Sequence, residues 1–440
     1  MFLTGSMVVN QKGHLEIGGC DLVDLAKEYG TPLNIMDESM IRGRCRSYLK
    51  SMEAHYPDFE VIYAGKAFLT RAMCRLLEEE GLSLDVVSGG ELYTALKADY
   101  PPEKIYFHGN NKTTEEINLA LSWGVGRFVA DSQGELELID SLAGEMGKRA
   151  NILLRIKPGV VPDTHQYIQT GQIDSKFGLG LTDGQAMEAV DKCLELDNLE
   201  LKGFHCHIGS QIFQTEPFAL AASIMMSFIR EVALSRNIKI GELNLGGGLG
   251  IRYLKKDSPP PIDEYVKGIA HMIKKKADDY NLPLPRIMIE PGRSLVGEAG
   301  VSLYRVGIIK DVPGVRRYVS VDGGMSDNLR PALYKAKYEA ALANKADQPS
   351  GEKVSVAGKA CESGDMLIWD AQLPPVERGD LVVIFSTGAY TYSMASNYNR
   401  LPRPAVVFVR EGNSDLVVRR ESYEDLVRND LIPKRMEKGD

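Results

Sequence analysis

Several short segments carry side chains able to do chemistry. Lys66 stands in Tyr63-Ala64-Gly65-Lys66-Ala67, after a mostly apolar run. A lone lysine reads most simply as a solvated surface charge. Its alternative is an amine kept partly out of water, able to attack a carbonyl and form a Schiff base. His205-Cys206-His207-Ile208-Gly209-Ser210-Gln211 sets two imidazoles two residues apart, which on a strand face the same side. They could ligate a metal, stack on a flat cofactor, or sit in a core hydrogen-bonded to backbone. No third and fourth ligand stands near them in the chain, so no metal site is expected. Asn244-Leu245-Gly246-Gly247-Gly248-Leu249-Gly250 lets backbone approach a ligand and offers N–H groups to an anion. It matches neither the P-loop nor the dinucleotide fingerprint. Glu290-Pro291-Gly292-Arg293 offers a carboxylate that could hold the proton on a heteroaromatic nitrogen and a guanidinium for an anion; a surface salt bridge is the plainer reading. Cys361-Glu362-Ser363-Gly364-Asp365 sets a thiol beside carboxylates, either a proton donor or a buried inert thiol in a turn. Asn328-Leu329-Arg330-Pro331-Ala332-Leu333-Tyr334 and Gly388-Ala389-Tyr390 add an arginine and two phenols.

Positioning such groups requires a scaffold, and the chain supplies a rhythm for one. Eight short β-prone runs alternate with helix-like segments: Phe59–Lys66, Leu82–Val87, Lys104–His108, Gly126–Ala130, Asn151–Ile156, Leu199–His207, Gly241–Leu245 and Arg286–Glu290. Between them, segments such as Ala67–Glu80, Pro217–Ser235 and Ile262–Asp278 place apolar residues at three- and four-residue spacing. This predicts an α/β fold containing a (β/α)8 TIM-type barrel, whose catalytic groups sit where strands finish. The strands finish at or near Lys66, Asp85, His108, Asp131, Arg155, His207, Gly246–Gly248 and Glu290. Polar or glycine-rich ends on all eight are hard to explain by packing. Loops after strands seven and eight of such barrels commonly hold phosphate, which moves the glycine run toward that role. After Glu290 the runs are short, close together and separated by turns, which predicts a mostly antiparallel β domain. The N-terminal stretch, with a strand near His14–Ile17 and a helix at Leu22–Tyr29, is expected to join it. The expected boundaries are 36–290 for the barrel and 1–35 with 291–440 for the β domain.

Composition narrows the class. The chain has 440 residues, 44% hydrophobic and 25% charged, with a net charge of −8. No dense Lys/Arg block exists, which argues against nucleic acid as a partner. No stretch of 18 or more apolar residues suggests a membrane span. Met1 to Asn10 lacks the basic start and apolar core of a signal peptide. Six cysteines scattered singly fit free thiols in a reducing cytoplasm.

Together the motifs Y-A-G-K-A, D-V-V-S-G-G-E-L from Asp85, H-C-H-I-G-S-Q, G-G-G-L-G, E-P-G-R, N-L-R-P-A-L-Y, C-E-S-G-D and G-A-Y occur in the order found in one family. In these the chain resembles the fold-type III pyridoxal-phosphate decarboxylases over nearly its whole length, most closely those acting on diaminopimelate. The resemblance implies pyridoxal 5'-phosphate as cofactor and a cytoplasmic homodimer with shared active sites. It implies conversion of meso-diaminopimelate to L-lysine and CO2, the last step of lysine biosynthesis. Lys66 would form the Schiff base, Glu290 would face the pyridinium nitrogen and His207 would stack on the ring. Asp85 and Arg155 would also bind the cofactor. Ser210, Gly246, Gly247, Gly248, Gly292, Arg293 and Tyr390 would surround the phosphate and adjacent substrate carboxylate. Cys361, with Glu362, would reach the site from the second subunit, and Cys361 would return a proton to Cα. Arg293, Arg330 and Tyr334 would hold the distal carboxylate of the substrate, and Glu362 and Ser363 its ammonium. Decarboxylases of ornithine, lysine, carboxynorspermidine or a carrier-bound amino acid, and a silent cofactor-binding protein, are the alternatives. Two departures, Asn34-Ile35-Met36-Asp37 for an aromatic-rich segment and Lys359-Ala360 before Cys361, alter no chemical role directly.

Overall fold

The computed structural model describes residues 3–160 and 175–437. The chain divides into two compact units, Met40–Arg252 with Lys256–Gly297, and Met1–Ser39 with Tyr253–Lys255 and Glu298–Asp440.

The first unit is the closed eight-stranded barrel that the rhythm of the sequence predicts. Its strands are β1 (Phe59–Ala64), β2 (Ser83–Val86), β3 (Ile105–Phe107), β4 (Arg127–Ala130), β5 (Ala150–Lys157), β6 (Leu199–Cys206), β7 (Glu242–Asn244) and β8 (Arg286–Ile289). Each pairs in parallel with the next, and β8 pairs with β1 to close the ring. A short strand, Leu179–Gly180, adds to the end of β5. The ring is filled rather than hollow: Ile62, Tyr106, Val129, Leu153 and Met288 form a buried interior cluster. Four successive strand-to-helix loops end in a hydroxyl cap. Thr70, Ser88, Thr113 and Ser132 accept the N–H groups of Met73, Glu91, Glu116 and Glu135. Each such cap contributes about 1 kcal/mol and fixes where its helix begins. This explains one difference from the sequence reading. The helix expected from Ala67 starts at Arg71, because Gly65–Ala67 is a single 3-10 turn, Phe68 is extended and Thr70 is the cap.

Helix Glu216–Arg236 contains an 18-residue window with a mean hydropathy of 1.5, so it is long and apolar enough to cross a membrane by length and composition. In the barrel it packs beside helix Ile262–Tyr280 and buries Phe218, Met225, Met226, Phe228 and Val232. Segment 291–297 stays with the barrel, where a Cβ on Gly292 would lie 2.9 Å from the Ala64 Cβ.

The second unit is a mixed sheet in which antiparallel pairings predominate. Its central strand, Gly300–Val312, pairs antiparallel with Leu33–Asp37, Leu381–Ile384 and Arg316–Val321. Two pairings are parallel, Arg316–Val321 with Glu352–Ala357 and Ala405–Arg410 with Leu33–Asp37. The N-terminal helix Leu22–Tyr29, capped by the Asp21 carboxylate, packs Leu22, Leu25 and Ala26 into one core with Leu33, Val301, Leu303, Val383 and Val407.

Candidate functional site

At the C-terminal ends of the barrel strands lies a cavity of about 320 Å³, lined by Lys66, Asp85, His108, Arg155, His205, His207 and Glu290 among others. These residues come from six strand ends that alternation and ring closure bring to one mouth. Lys66 follows β1 on the 3-10 turn, and its side chain is exposed rather than held out of water. Of the two readings of Lys66 it is the partly desolvated amine that is corrected, and the solvated one that the structure shows: the turn carries the lysine past the packed interior layer. Asp85, on β2, is buried, and its Oδ1 has no hydrogen-bond partner among the described residues. Burial pushes this carboxyl up, and the nearby Glu290 adds to the rise. Arg155 Nε lies 3.7 Å from Asp131 Oδ1, and its guanidinium stacks 4.5 Å above the Phe177 ring.

Glu290 is buried and surrounded by donors. Asn244 Nδ2 donates to its Oε1 at 2.7 Å, and the His205 Nε2 contact to Oε2 is 3.2 Å. His108 Nε2 approaches Oε1 to 2.9 Å. Burial would raise this carboxyl, but His108 and His205 beside it outweigh burial and hold it well below the usual range. Burial pushes His205 down to about 4, so it is neutral at pH 7. His207, half-buried, is pushed well below the imidazole range by desolvation and then by the charges of Lys66 and Arg155. His108 and Glu290 lie beside His205, with the nearest nitrogen and oxygen atoms of the three within 4.8 Å of one another.

Next to the cavity, the ends of β6, β7 and β8 form a second cluster. Arg293 is buried and donates from Nε and Nη2 to Ser210 Oγ at 3.2 and 3.0 Å. The Gly247 N–H points to His207 Nδ1 at 3.3 Å. The Gly246 N–H is taken by Asn244 Oδ1 at 2.9 Å. Gly246 is thus not an open anion donor, which corrects its expected role. What requires glycine there is shape: φ is +65°, and a Cβ would lie 2.6 Å from the Cys206 carbonyl oxygen and 2.8 Å from His207 Nδ1.

The second unit carries the remaining candidates. Arg330 is buried at the start of helix Arg330–Tyr334 and donates from Nη1 to Tyr253 Oη at 2.7 Å. Its guanidinium lies 5.2 Å from the Tyr253 ring and 5.9 Å from the Tyr390 ring. Tyr334, on the same helix, is half-buried. Cys361, Glu362 and Ser363 are exposed on one loop. Of the six cysteines Cys361 alone is exposed, so the reading of a buried inert thiol is overturned. The loop is shaped by Asp365, whose carboxylate accepts the N–H groups of Met325 and Ala360 at 2.6 and 2.8 Å, and by Asn399, which accepts the Cys361 N–H at 2.7 Å.

Sequence reasoning left four of these residues without a role. His108 stood out only as a polar strand end, Asn244 only as the residue opening a glycine run, and Asp365 only as a neighbour of the thiol. Tyr253 gave no signal, since nothing in the chain links it to Arg330.

The chain was compared with known proteins. A family model described as "Pyridoxal-dependent decarboxylase, pyridoxal binding domain" matches residues 39–297. A diaminopimelate decarboxylase of Bacillus subtilis is 54% identical over 98% of each chain. One from Mycobacterium tuberculosis is 44% identical over 95% of each chain. A diaminopimelate decarboxylase from M. jannaschii, solved in co-complex with L-lysine, superposes with a TM-score of 0.91 at 39% identity, covering 98% of this chain and 99% of that one. A lysine/ornithine decarboxylase from Vibrio vulnificus, at 22% identity and a TM-score of 0.77, shares the fold. With a barrel mouth that joins a lysine to a fixed carboxylate, and with these likenesses along its whole length, the chain belongs to the pyridoxal-dependent decarboxylase family.

Proposed function

We propose that this protein decarboxylates meso-diaminopimelate to L-lysine and CO2 with pyridoxal 5'-phosphate as cofactor, and that it works as a cytoplasmic homodimer. The observation that carries the reading is the sharing of one cavity by Lys66 and Glu290, from the ends of adjacent strands, in a chain of this family. The residues present fit the cofactor. Lys66 offers an exposed amine to its aldehyde, and Glu290 an ionised carboxylate to its ring nitrogen. The unpartnered Asp85 oxygen faces the same space. His207 would lie against the ring and Arg155 beside it. Ser210, Arg293, Gly292, Gly247 and Gly248 would hold the phosphate, with Tyr390. Gly246 keeps the backbone close beside them. When bound, the cofactor supplies an electron sink for the charge left at Cα as CO2 departs.

Substrate choice rests on the distal end of diaminopimelate, which carries a second amino-acid group. Arg330, Tyr334 and Arg293 would bind its carboxylate, since a planar guanidinium suits bidentate recognition. Glu362 and Ser363 would bind its ammonium. In the homodimer the β unit of one copy would complete the site of the other's barrel, bringing in Cys361 with Glu362. The Cys361 thiol would then return the proton to Cα.

Borohydride reduction after loading with pyridoxal phosphate, followed by peptide mapping, tests the reading. The expected result is a pyridoxyl group on Lys66 alone, absent from Lys66→Ala. A label on another lysine, or a protein that never takes up the cofactor, contradicts it.

A further inference from the structure

Three buried side chains converge on Glu290, one each from the ends of β3 and β6 and from β7. The Asn244 amide has only one workable orientation. Its Oδ1 accepts the Gly246 N–H at 2.9 Å, so its Nδ2 must face Glu290 Oε1, 2.7 Å away. The His205 Nε2 contact to Oε2 is 3.2 Å, and its other nitrogen, Nδ1, has no partner among the described residues. A neutral imidazole facing a carboxylate carries its proton on the facing nitrogen, so His205 is the Nε2–H tautomer. The His108 ring stands nearly perpendicular to that of His205, at 77° with centroids 4.8 Å apart, and its Nε2 lies 2.9 Å from Oε1. Oε1 is crowded by two groups, whereas Oε2 meets His205 alone among the described residues. Oε2 therefore keeps the acceptor direction open.

We propose that Asn244 and His205 are positioning residues that fix Glu290 as an oriented hydrogen-bond acceptor, with His108 packed against Oε1, presenting Oε2 to a protonated heteroaromatic nitrogen. The inference rests on the cofactor reading above and adds to it the residues that make Glu290 fit for its part. The physical need is visible next door. Asp85 is buried at the same mouth without such donors, and burial raises it. A Glu290 that took up a proton would lose the charge that keeps the ring nitrogen protonated. Its titratable and charged surroundings are His108, His205, His207, Asp85, Lys66 and Arg155, with the Cys206 thiol and the Tyr265 phenol behind them. Of the two imidazoles nearest the carboxylate, His205 meets the hydrogen-bond geometry, and His108 Nε2 has no hydrogen-bond partner among the described residues.

The test measures pyridoxal-phosphate Kd of the cofactor-free protein at pH 6, 7.5 and 9, for wild type, His205→Leu and His205→Gln, each also in a Glu290→Gln background. Without its donor Glu290 holds a proton at low pH and regains its charge as pH rises. His205→Leu should therefore weaken binding by about tenfold at pH 6 and by much less at pH 9. Gln supplies an N–H near the same place, so His205→Gln should stay within about threefold of wild type at all three values. In the Glu290→Gln background the pH-dependent difference should vanish. A Kd ratio constant with pH, or one unchanged in the Glu290→Gln background, would overturn the proposal. A wild-type protein that binds no cofactor would overturn the cofactor reading instead. If His205→Leu does not fold, ¹⁵N-histidine spectra of wild type decide. His205 should remain the neutral Nε2–H form from pH 6 to 8, and an imidazolium or an Nδ1–H form there sinks the idea.

Discussion

Replacing Gly246 by alanine perturbs the barrel mouth without touching a charged group. Two costs add. The residue sits at φ +65°, where a Cβ is disfavoured by about 1–2 kcal/mol. The new methyl would also stand 2.6 Å from the Cys206 carbonyl oxygen and 2.8 Å from His207 Nδ1, well inside ordinary contact. Relief requires the ends of β6 and β7 to separate, and overpacking of this kind costs about 1–3 kcal/mol. The total is about 2–5 kcal/mol. At about 2–4 °C per kcal/mol for a unit of this size, the barrel should melt about 4–20 °C lower. Because the ring displaced is His207, Kd for pyridoxal phosphate should rise in parallel. Differential scanning calorimetry and a cofactor titration read the two effects. Gly268→Ala is the control. It lies inside helix Ile262–Tyr280 with nothing within 4 Å of its added Cβ, and should melt at or slightly above wild type. A Gly246→Ala protein that melts with wild type and binds the cofactor equally would refute the reasoning that packing, not amide donation, requires this glycine.

Glu290→Gln should lower kcat by about 10²–10³-fold, as loss of an oriented charge in a buried site does, with a fold intact by circular dichroism. Arg330→Ala should raise KM for diaminopimelate by about 10–100-fold, the loss of a charge-assisted contact, with a smaller change in kcat. Tyr253→Phe removes the phenol that accepts from Arg330 Nη1 at 2.7 Å and should raise the same KM by a few-fold. In the second unit, burial would raise Glu421, but hydrogen bonds from Arg403 and Asn397 hold it at about 2. Its folded value is below its unfolded one, so its stabilisation is present above about pH 4.3 and lost as pH falls toward 2. Arg403 is partly exposed, which limits the effect to about 1 kcal/mol. Glu421→Gln should therefore lower the melting temperature at pH 7 by a few degrees, with the gap narrowing toward pH 3.

The barrel was legible because each strand is a short apolar run bounded by polar or glycine residues, and eight such runs alternating with helical spacing have few other solutions. Boundaries matched where a cap is written in the chain, as at Asp21 before Leu22–Tyr29, and slipped where the cap was overlooked, as at Thr70. The cavity residues Lys66, Asp85, Arg155, His207 and Glu290 were legible as strand ends. Their mutual chemistry was not. His108, His205 and Asn244 gather on Glu290 only because the ring closes, and no local pattern records that β3, β6 and β7 end beside β8. The Gly246 amide looked open for the same reason, since its acceptor Asn244 Oδ1 is placed by that closure. Exposure was equally hidden: the freedom of Lys66 and Cys361 follows from a turn and from Asp365, which fastens its loop through backbone N–H groups.

The most direct test of the central claim is CO2 release from meso-diaminopimelate, set beside ornithine and lysine, with and without pyridoxal phosphate. The account predicts CO2 and L-lysine in equal amounts from diaminopimelate, only with the cofactor, and little turnover of the other two. Equal or faster release from ornithine or lysine, or release that ignores the cofactor, would contradict it.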